Sequence, residues 1–406
     1  MDHASSQPET SNLQNRLVEL GKVLQSTLQG VVEALPVEFQ RPAGMARHTG
    51  TNKVFTSRLL KAIHQEDPLN VVHHLPGPDP IFRFLKSDGV VALPSSLVNR
   101  ANKATTTFQH IIDQEAGDRA SLQTLMSSWI GTAREEFDQR RRQAAFKAVS
   151  ELKGAAVDLN VSLAILHPGA EEGMMDLVWL MGMIGLQRLR PDAQVRLDTR
   201  RMSDEGKERQ PTSLDGAPMD GILELDLEGF CPHGRAPLEA CQVGGTMNYL
   251  LAGNQFGPKQ RSDLLLIEVN RNELRRVRED DPNRRTYLYA NPIPPSQRLV
   301  LDVLLHKSLL DSEPPELLIY DTAGSGPKDP NDPISAFDQM ESTDTLRYHD
   351  MADGFPEVEG YKQYPALMER VLQELAWKPE EFHLWSVDIA YPLHSSQVSV
   401  AFKAKA

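Results

Sequence analysis

The sequence predicts an α+β chain with three parts: an all-helical N-terminal domain, a long connecting helix, and a β-rich C-terminal domain with a sandwich-like or curved sheet. Three observations carry this. Up to Leu152, apolar residues recur at spacings of three and four, the period of a helix face. After Gly154 the texture changes to short runs of β-formers separated by Pro and Gly turn signals. The 406 residues, 40% hydrophobic and 24% charged, are enough for two or three domains with sizeable cores. The expected boundaries are a disordered tail over 1–10, a helical domain over 11–95, a helical connector over 96–153 and a β-rich domain over 154–406.

Composition narrows the function classes. Only two cysteines occur, Cys231 and Cys241, so a disulfide-scaffolded secreted domain is not expected. The opening MDHASSQPETSNLQ has no apolar core of a signal peptide. The longest apolar run, Met174 to Leu186, is interrupted by Asp176 and falls short of the ~20 residues of a membrane span. The expectation is a soluble, cytoplasmic protein without a membrane partner. A net charge of −13 argues against nucleic-acid binding by the whole surface, though not against one local basic face.

Taken in order, the helical part opens with a stripe at Leu13, Leu17, Leu20, Leu24, Leu28, Val31 and Leu35. One such seam either packs on later helices of its own domain or joins two copies as a short coiled coil. Asp67-Pro68 and Asp79-Pro80 each read as an acidic cap followed by proline at the first helical position, starting two short helices. Helical patterns continue over Leu97–Glu115 and Ala120–Lys153. The second carries a stripe from Leu122 through Phe137 and a basic run, Arg140-Arg141-Arg142, that suits a solvated face, a phosphate contact or an anchor on the second domain.

In the C-terminal part, strands are expected at VDLNVSLAIL, VRLDTRR, GILELDLEGF, LLLIEV, TYLYANPI, LVLDVLL, ELLIYDTA, FHLWSVDIAYPL and VSVAFKA. Helices are expected at Tyr364–Leu375 and within Asp176–Leu189. Two long polar stretches, 203–220 and 323–345, read as loops.

One segment carries a functional motif, PAGMARHTGTNKVFTSRLLKAI from Pro42 to Ile63. Two closely crossing helices need a small residue on the first and a turn residue that tolerates positive φ, and Ala46 and Gly50 supply them four positions apart. Asn52 is a good cap for the second helix. Val54, Phe55, Leu59, Leu60 and Ile63 provide apolar faces. From Leu35 to Ile63 there are five cationic residues and one acidic residue, a local +4 in an acidic chain.

With its A-x-x-x-G pattern and its Ser57-Arg58-Leu59-Leu60 run, this segment resembles the helix-turn-helix of lac-repressor-type and IclR-type bacterial transcriptional regulators. The resemblance covers about 22 of the 406 residues, and Thr51 and Thr56 stand where that pattern places apolar residues. It implies that the second helix enters the major groove of duplex DNA, with Lys53, Val54, Ser57 and Arg58 facing base edges. Arg47, Lys61 and the backbone around Asn52 would then meet phosphates. The competing role for Arg58 is a surface ion pair with Glu66 or a neighbour. By analogy the chain binds as a homodimer, and its C-terminal domain serves effector sensing, oligomerisation or partner binding.

Other constellations are weaker. Cys231, His233 and Cys241 lack the paired spacing of a zinc site. His64, His73 and His74 suit packing or phosphate proximity. Asp321 to Gly326 and Gly244-Gly245-Thr246 lack the P-loop and dinucleotide signatures. No cofactor, metal or catalytic residue is therefore assigned. The alternatives to a regulator are an adaptor in which residues 42–63 are merely two packed helices, or an enzyme using a cleft in the C-terminal domain.

Overall fold

The computed structural model describes residues 7–405 apart from 128, 202, 205–206, 209–210, 219–228, 258, 278–280, 282, 312 and 325. The chain divides into two compact units, Met1–Asp138 and Gln139–Ala406.

The first unit is helical: α1 (Gln7–Glu33), α2 (Pro42–Thr49), α3 (Lys53–Ile63), α4 (Pro68–His74), α5 (Pro78–Leu85), α6 (Asp88–Val91), α7 (Ser95–Ile111) and α8 (Arg119–Ser127). Helix α9 (Gly131–Lys153) begins in this unit and ends in the second. Residues 1–6 of the expected tail lie outside the described residues, and 7–10 already form the first turns of α1. The α1 stripe lies within its own unit. Leu17, Leu20, Leu24, Leu28, Val31 and Leu35 are buried in one core with Leu59, Val72, Phe84, Phe108, Leu122 and Met126. The seam that the sequence left open to a second copy thus serves this core. The helical pattern expected from Ala120 to Lys153 is two helices, α8 and α9, rather than one.

The two Asp-Pro signals resolve differently. Asp67 caps α4 as expected, accepting from the Leu69 N–H at 3.1 Å. Helix α5 instead starts at Pro78, with Gly77 as its cap and Asp79 inside the first turn. Pro78 serves the first-turn position as well as Pro80 does, because the N–H each lacks has no partner there. In the basic run, Arg142 lies within the second unit, where it bonds Asp344 at 2.7 Å and Ser342 at 3.1 Å.

The second unit contains β1 (Ala155–Ala156), β2 (Leu159–Pro168), β3 (Met174–Arg188), β4 (Arg196–Arg201), β5 (Ser203–Asp204), β6 (Lys207–Glu208), β7 (Leu238–Val243) and β8 (Thr246–Leu251). These are followed by β9 (Arg261–Arg275), β10 (Thr286–Ala290), β11 (Arg298–His306), β12 (Glu316–Asp321), β13 (Arg347–His349), α10 (Tyr364–Glu374), β14 (Phe382–Ala390) and β15 (Ser396–Phe402). The main sheet runs β1-β3-β2-β11-β14-β13, with β9 also on β3. It is antiparallel except where β11 lies parallel to β2.

Helix α10 covers one face of this sheet through Leu367, Met368, Val371 and Leu372. The other face is covered by a second sheet, β10-β15-β12, through Leu288, Val398, Val400 and Phe402. A third sheet, β4-β8-β7, packs on Met181, Met183, Leu264 and Leu266. The architecture is mixed α+β, with helices in the N-terminal part and sheets in the C-terminal part.

One expected helix is a strand. Met174–Arg188 is β3, paired with β2 on one edge and β9 on the other. A strand covered on both faces carries no polar alternation, so its apolar run looks like a buried helix. The expected strand at residues 221–230 falls almost wholly outside the described residues.

Two polar groups tie these layers together. Asp302, fully buried on β11, accepts a 2.6 Å hydrogen bond from the Tyr364 hydroxyl of α10, and burial raises its pKa. Beneath the third sheet, Arg200 Nε lies 2.6 Å from Glu268 Oε2. Nearby, withdrawal from water pushes the Asp198 carboxyl up to about 7, with the Glu268 charge adding to the rise against a backbone hydrogen bond from Thr199. The folded state therefore holds this proton more tightly than the unfolded chain, whose carboxyl titrates near 3.8. The contribution to stability falls as pH rises from about 4 to about 7. Asp198→Asn should flatten that part of the profile, read from urea midpoints at acidic and neutral pH. Equal pH dependence in both proteins would contradict it.

Candidate nucleic-acid interface

Helices α2 and α3 are joined by a three-residue turn, Gly50 to Asn52. Gly50 ends α2 in the left-handed region at φ 64°. A Cβ there would meet no other atom within 4 Å, so the demand for glycine is conformational rather than steric. Asn52 caps α3, its Oδ1 accepting from the Phe55 N–H at 2.7 Å. That leaves only its amide NH2 for an outside acceptor.

Three threonines lock the pair together. Thr56 is fully buried, and its hydroxyl donates 2.8 Å across to the Pro42 carbonyl at the start of α2. Thr49 donates to Met45 O at 2.8 Å and shares a hydrogen bond of the same length with Thr51. The positions where Thr51 and Thr56 depart from the apolar pattern therefore hold hydrogen bonds in place of methyl packing. On the inner side Met45, Ala46, Phe55, Leu59, Ala62 and Ile63 are buried, and Phe55 packs on Phe84 at 5.6 Å between ring centres. His48, which the sequence did not single out, stacks on Phe39 at 4.1 Å.

The outward face is the complement of that packing. Lys53, Val54, Ser57, Arg58 and Lys61 are all exposed on α3, at offsets of one, three, one and three residues that keep them on one side. Asn52 and Arg47 are exposed as well. Among the described residues, the side chains of Lys53, Ser57, Arg58 and Lys61 have no hydrogen-bond or ion-pair partner, and Glu66 does not hold Arg58. Arg47 makes one long contact to its own helix, 3.4 Å to Ala43 O.

Behind this face sits a further cation that sequence reasoning missed. Arg119 of α8 is largely buried and donates to the carbonyls of Val72, His73 and Leu75 at 2.7, 3.0 and 3.3 Å. Its guanidinium lies over the Phe108 ring. Burial, with the nearby Arg58 charge adding to it, holds its pKa down to about 10. Arg119 therefore caps the C-terminus of α4 while adding positive potential behind Arg58. An isolated arginine 56 residues past α3 in a different helix gave no sequence signal of either role.

The weaker constellations also have places. His73 is buried edge-on to His74, and His64 Nδ1 lies 2.6 Å from Leu60 O. Neither Cys231 nor Cys241 is in a disulfide. His233 Nδ1 lies 2.9 Å from Asp263, a fully buried carboxylate that also accepts from the backbone N–H groups of His233 and Gly185. Gly244 and Gly245 form the tight turn between β7 and β8. A shallow groove on the outer face of the third sheet is lined by Arg196, Thr199, Cys241, Val243, Thr246, Asn248 and Leu250, a set without a carboxylate or histidine. Among the described residues no three His, Cys, Asp or Glu side chains converge as a metal site, and no helix is long and apolar enough to cross a membrane.

Comparison with protein-family models and with curated proteins found no match. Among solved structures, a Parabacteroides distasonis protein described as a candidate protease is similar at 6% identity and a TM-score of 0.26. The match covers 62% of this chain and 40% of that one, so the chain spans about two fifths of the length of the structure it matches. A likeness of that size carries no functional argument.

Proposed function

We propose that this chain is a sequence-specific duplex-DNA-binding protein that acts as a transcriptional regulator, with α3 as the element that enters the major groove. One observation carries the reading: a cationic outward face whose side chains are unspent by the fold, on a helix held rigidly from behind. Glu66 stands close by in sequence and pairs with none of these cations. The width of an α-helix suits the major groove, and the exposed first N–H groups of α3 suit phosphate. Arg58 and its neighbours then read base edges, while Arg47, the Asn52 region and Lys61 position the helix on the backbone. The β-rich second unit is assigned the regulatory role, sensing an effector or a partner.

The test is a titration of the full-length chain with random-sequence duplex at several salt concentrations. Affinity should fall steeply with salt. Lys61→Ala should make the log–log slope shallower by about 0.9, the yield of one lost phosphate contact. Absence of binding at low salt, or a slope unchanged in the variant, would overturn the assignment.

A further inference from the structure

Val54 is 70% exposed, and nothing in the fold uses it. A single exposed valine is ordinary on most protein surfaces. Its placement makes this one informative. It sits in the first turn of α3, one position after Lys53 and four before Arg58, so it is the aliphatic member of an otherwise polar outward face. A valine in a helix has essentially one side-chain rotamer, so its two methyl groups form a fixed apolar knob among mobile cations. The contiguous apolar area that would suit a protein partner is missing, since Lys53, Ser57, Arg58 and Lys61 surround it.

Resting on the DNA-binding reading above, we infer that Val54 is a specificity-determining residue that reads the 5-methyl group of a thymine. In the major groove thymine alone of the four bases presents a methyl group, and aliphatic side chains recognise it by contact. Residues at the N-terminal end of a recognition helix are those that reach base edges. Side chains at i and i+4 lie about 6 Å apart on one face, and stacked bases rise about 3.4 Å per step. A thymine read by Val54 therefore lies within about two base-pair steps of the guanine that Arg58 would bind through O6 and N7. The preferred half-site contains a T and a G at that separation.

The experiment uses the full-length chain and a duplex enriched by it from a random pool. Each thymine is replaced in turn by deoxyuridine, which keeps every hydrogen-bonding group and removes only the methyl. One replacement, within two steps of the guanine whose recognition depends on Arg58, should weaken binding about fourfold, the worth of one buried methyl group. Val54→Ala, which withdraws both γ-methyl groups, should lose most of that methyl sensitivity, and alanine at an exposed helical position leaves folding intact. If the chain enriches a sequence but no deoxyuridine replacement weakens it, or Val54→Ala keeps the full methyl sensitivity, the Val54 inference falls and DNA binding stands. If it enriches no sequence and binds no duplex, both fall.

Discussion

Arg58→Ala is expected to remove roughly 1–3 kcal/mol of discrimination at one guanine of the bound site, about 5- to 150-fold. Binding to unrelated duplex should fall much less. The asymmetry follows from what the side chain is free to do. Arg58 has no partner among the described residues and projects from a helix whose inner face is fixed by Leu59, Phe55 and the Thr56–Pro42 hydrogen bond. Its planar fork is therefore available for a bidentate contact, which a lysine cannot reproduce. Arg58→Lys should keep the salt dependence and lose the guanine preference. Paired titrations on a cognate duplex and one altered at that guanine separate the two effects. Equal losses on both duplexes would make Arg58 a phosphate contact only.

The largest effect on stability is expected at Asp263. This carboxylate has no exposed surface, and it joins the turn Cys231–Ala236 to β3 and β9 through the Gly185 N–H, the His233 N–H and His233 Nδ1. Asp263→Ala leaves two backbone donors without their acceptor and should cost about 3–5 kcal/mol, the scale of breaking a buried charged contact. Asp263→Asn keeps one acceptor oxygen and should lose less than half of that. Urea unfolding of the full-length chain, followed by a probe of the second unit, gives both values. A loss below 1 kcal/mol in the alanine variant would show that the turn is held by other means.

The helical part was legible because its side chains obey one rule at a time. The stripe from Leu13 to Leu35, the cap at Asn52 and the turn at Gly50 are local signals, and each describes its own surroundings. What the sequence left open at α1 was the partner of its stripe, because a seam that fills a core and a seam that joins two copies have the same spacing. The second unit was harder to read. In β3, coverage on both faces erased the alternation that marks a strand, while Gly182 and Gly185 inside the run were a signal against a helix. Gly185 adopts φ 68° where the pairing of β3 with β9 shifts register, and a side chain there would collide with Asp158.

The hairpin of β7 and β8 was missed although Gly244-Gly245 is a strong turn signal, because LEACQV and TMNYLL carry few β-branched residues. At the candidate site, the outward residues follow from the resemblance of residues 42–63 to a helix-turn-helix motif. Their freedom from partners, and the cation at Arg119 behind them, depend on distant segments and became visible only in three dimensions.

The most direct test of the account is enrichment of duplexes from a random pool by the intact protein, repeated with Arg58→Ala. A short shared sequence containing a T and a nearby G is expected in the native selection, with the G no longer enriched in the variant. A native pool indistinguishable from the input after repeated rounds would contradict it.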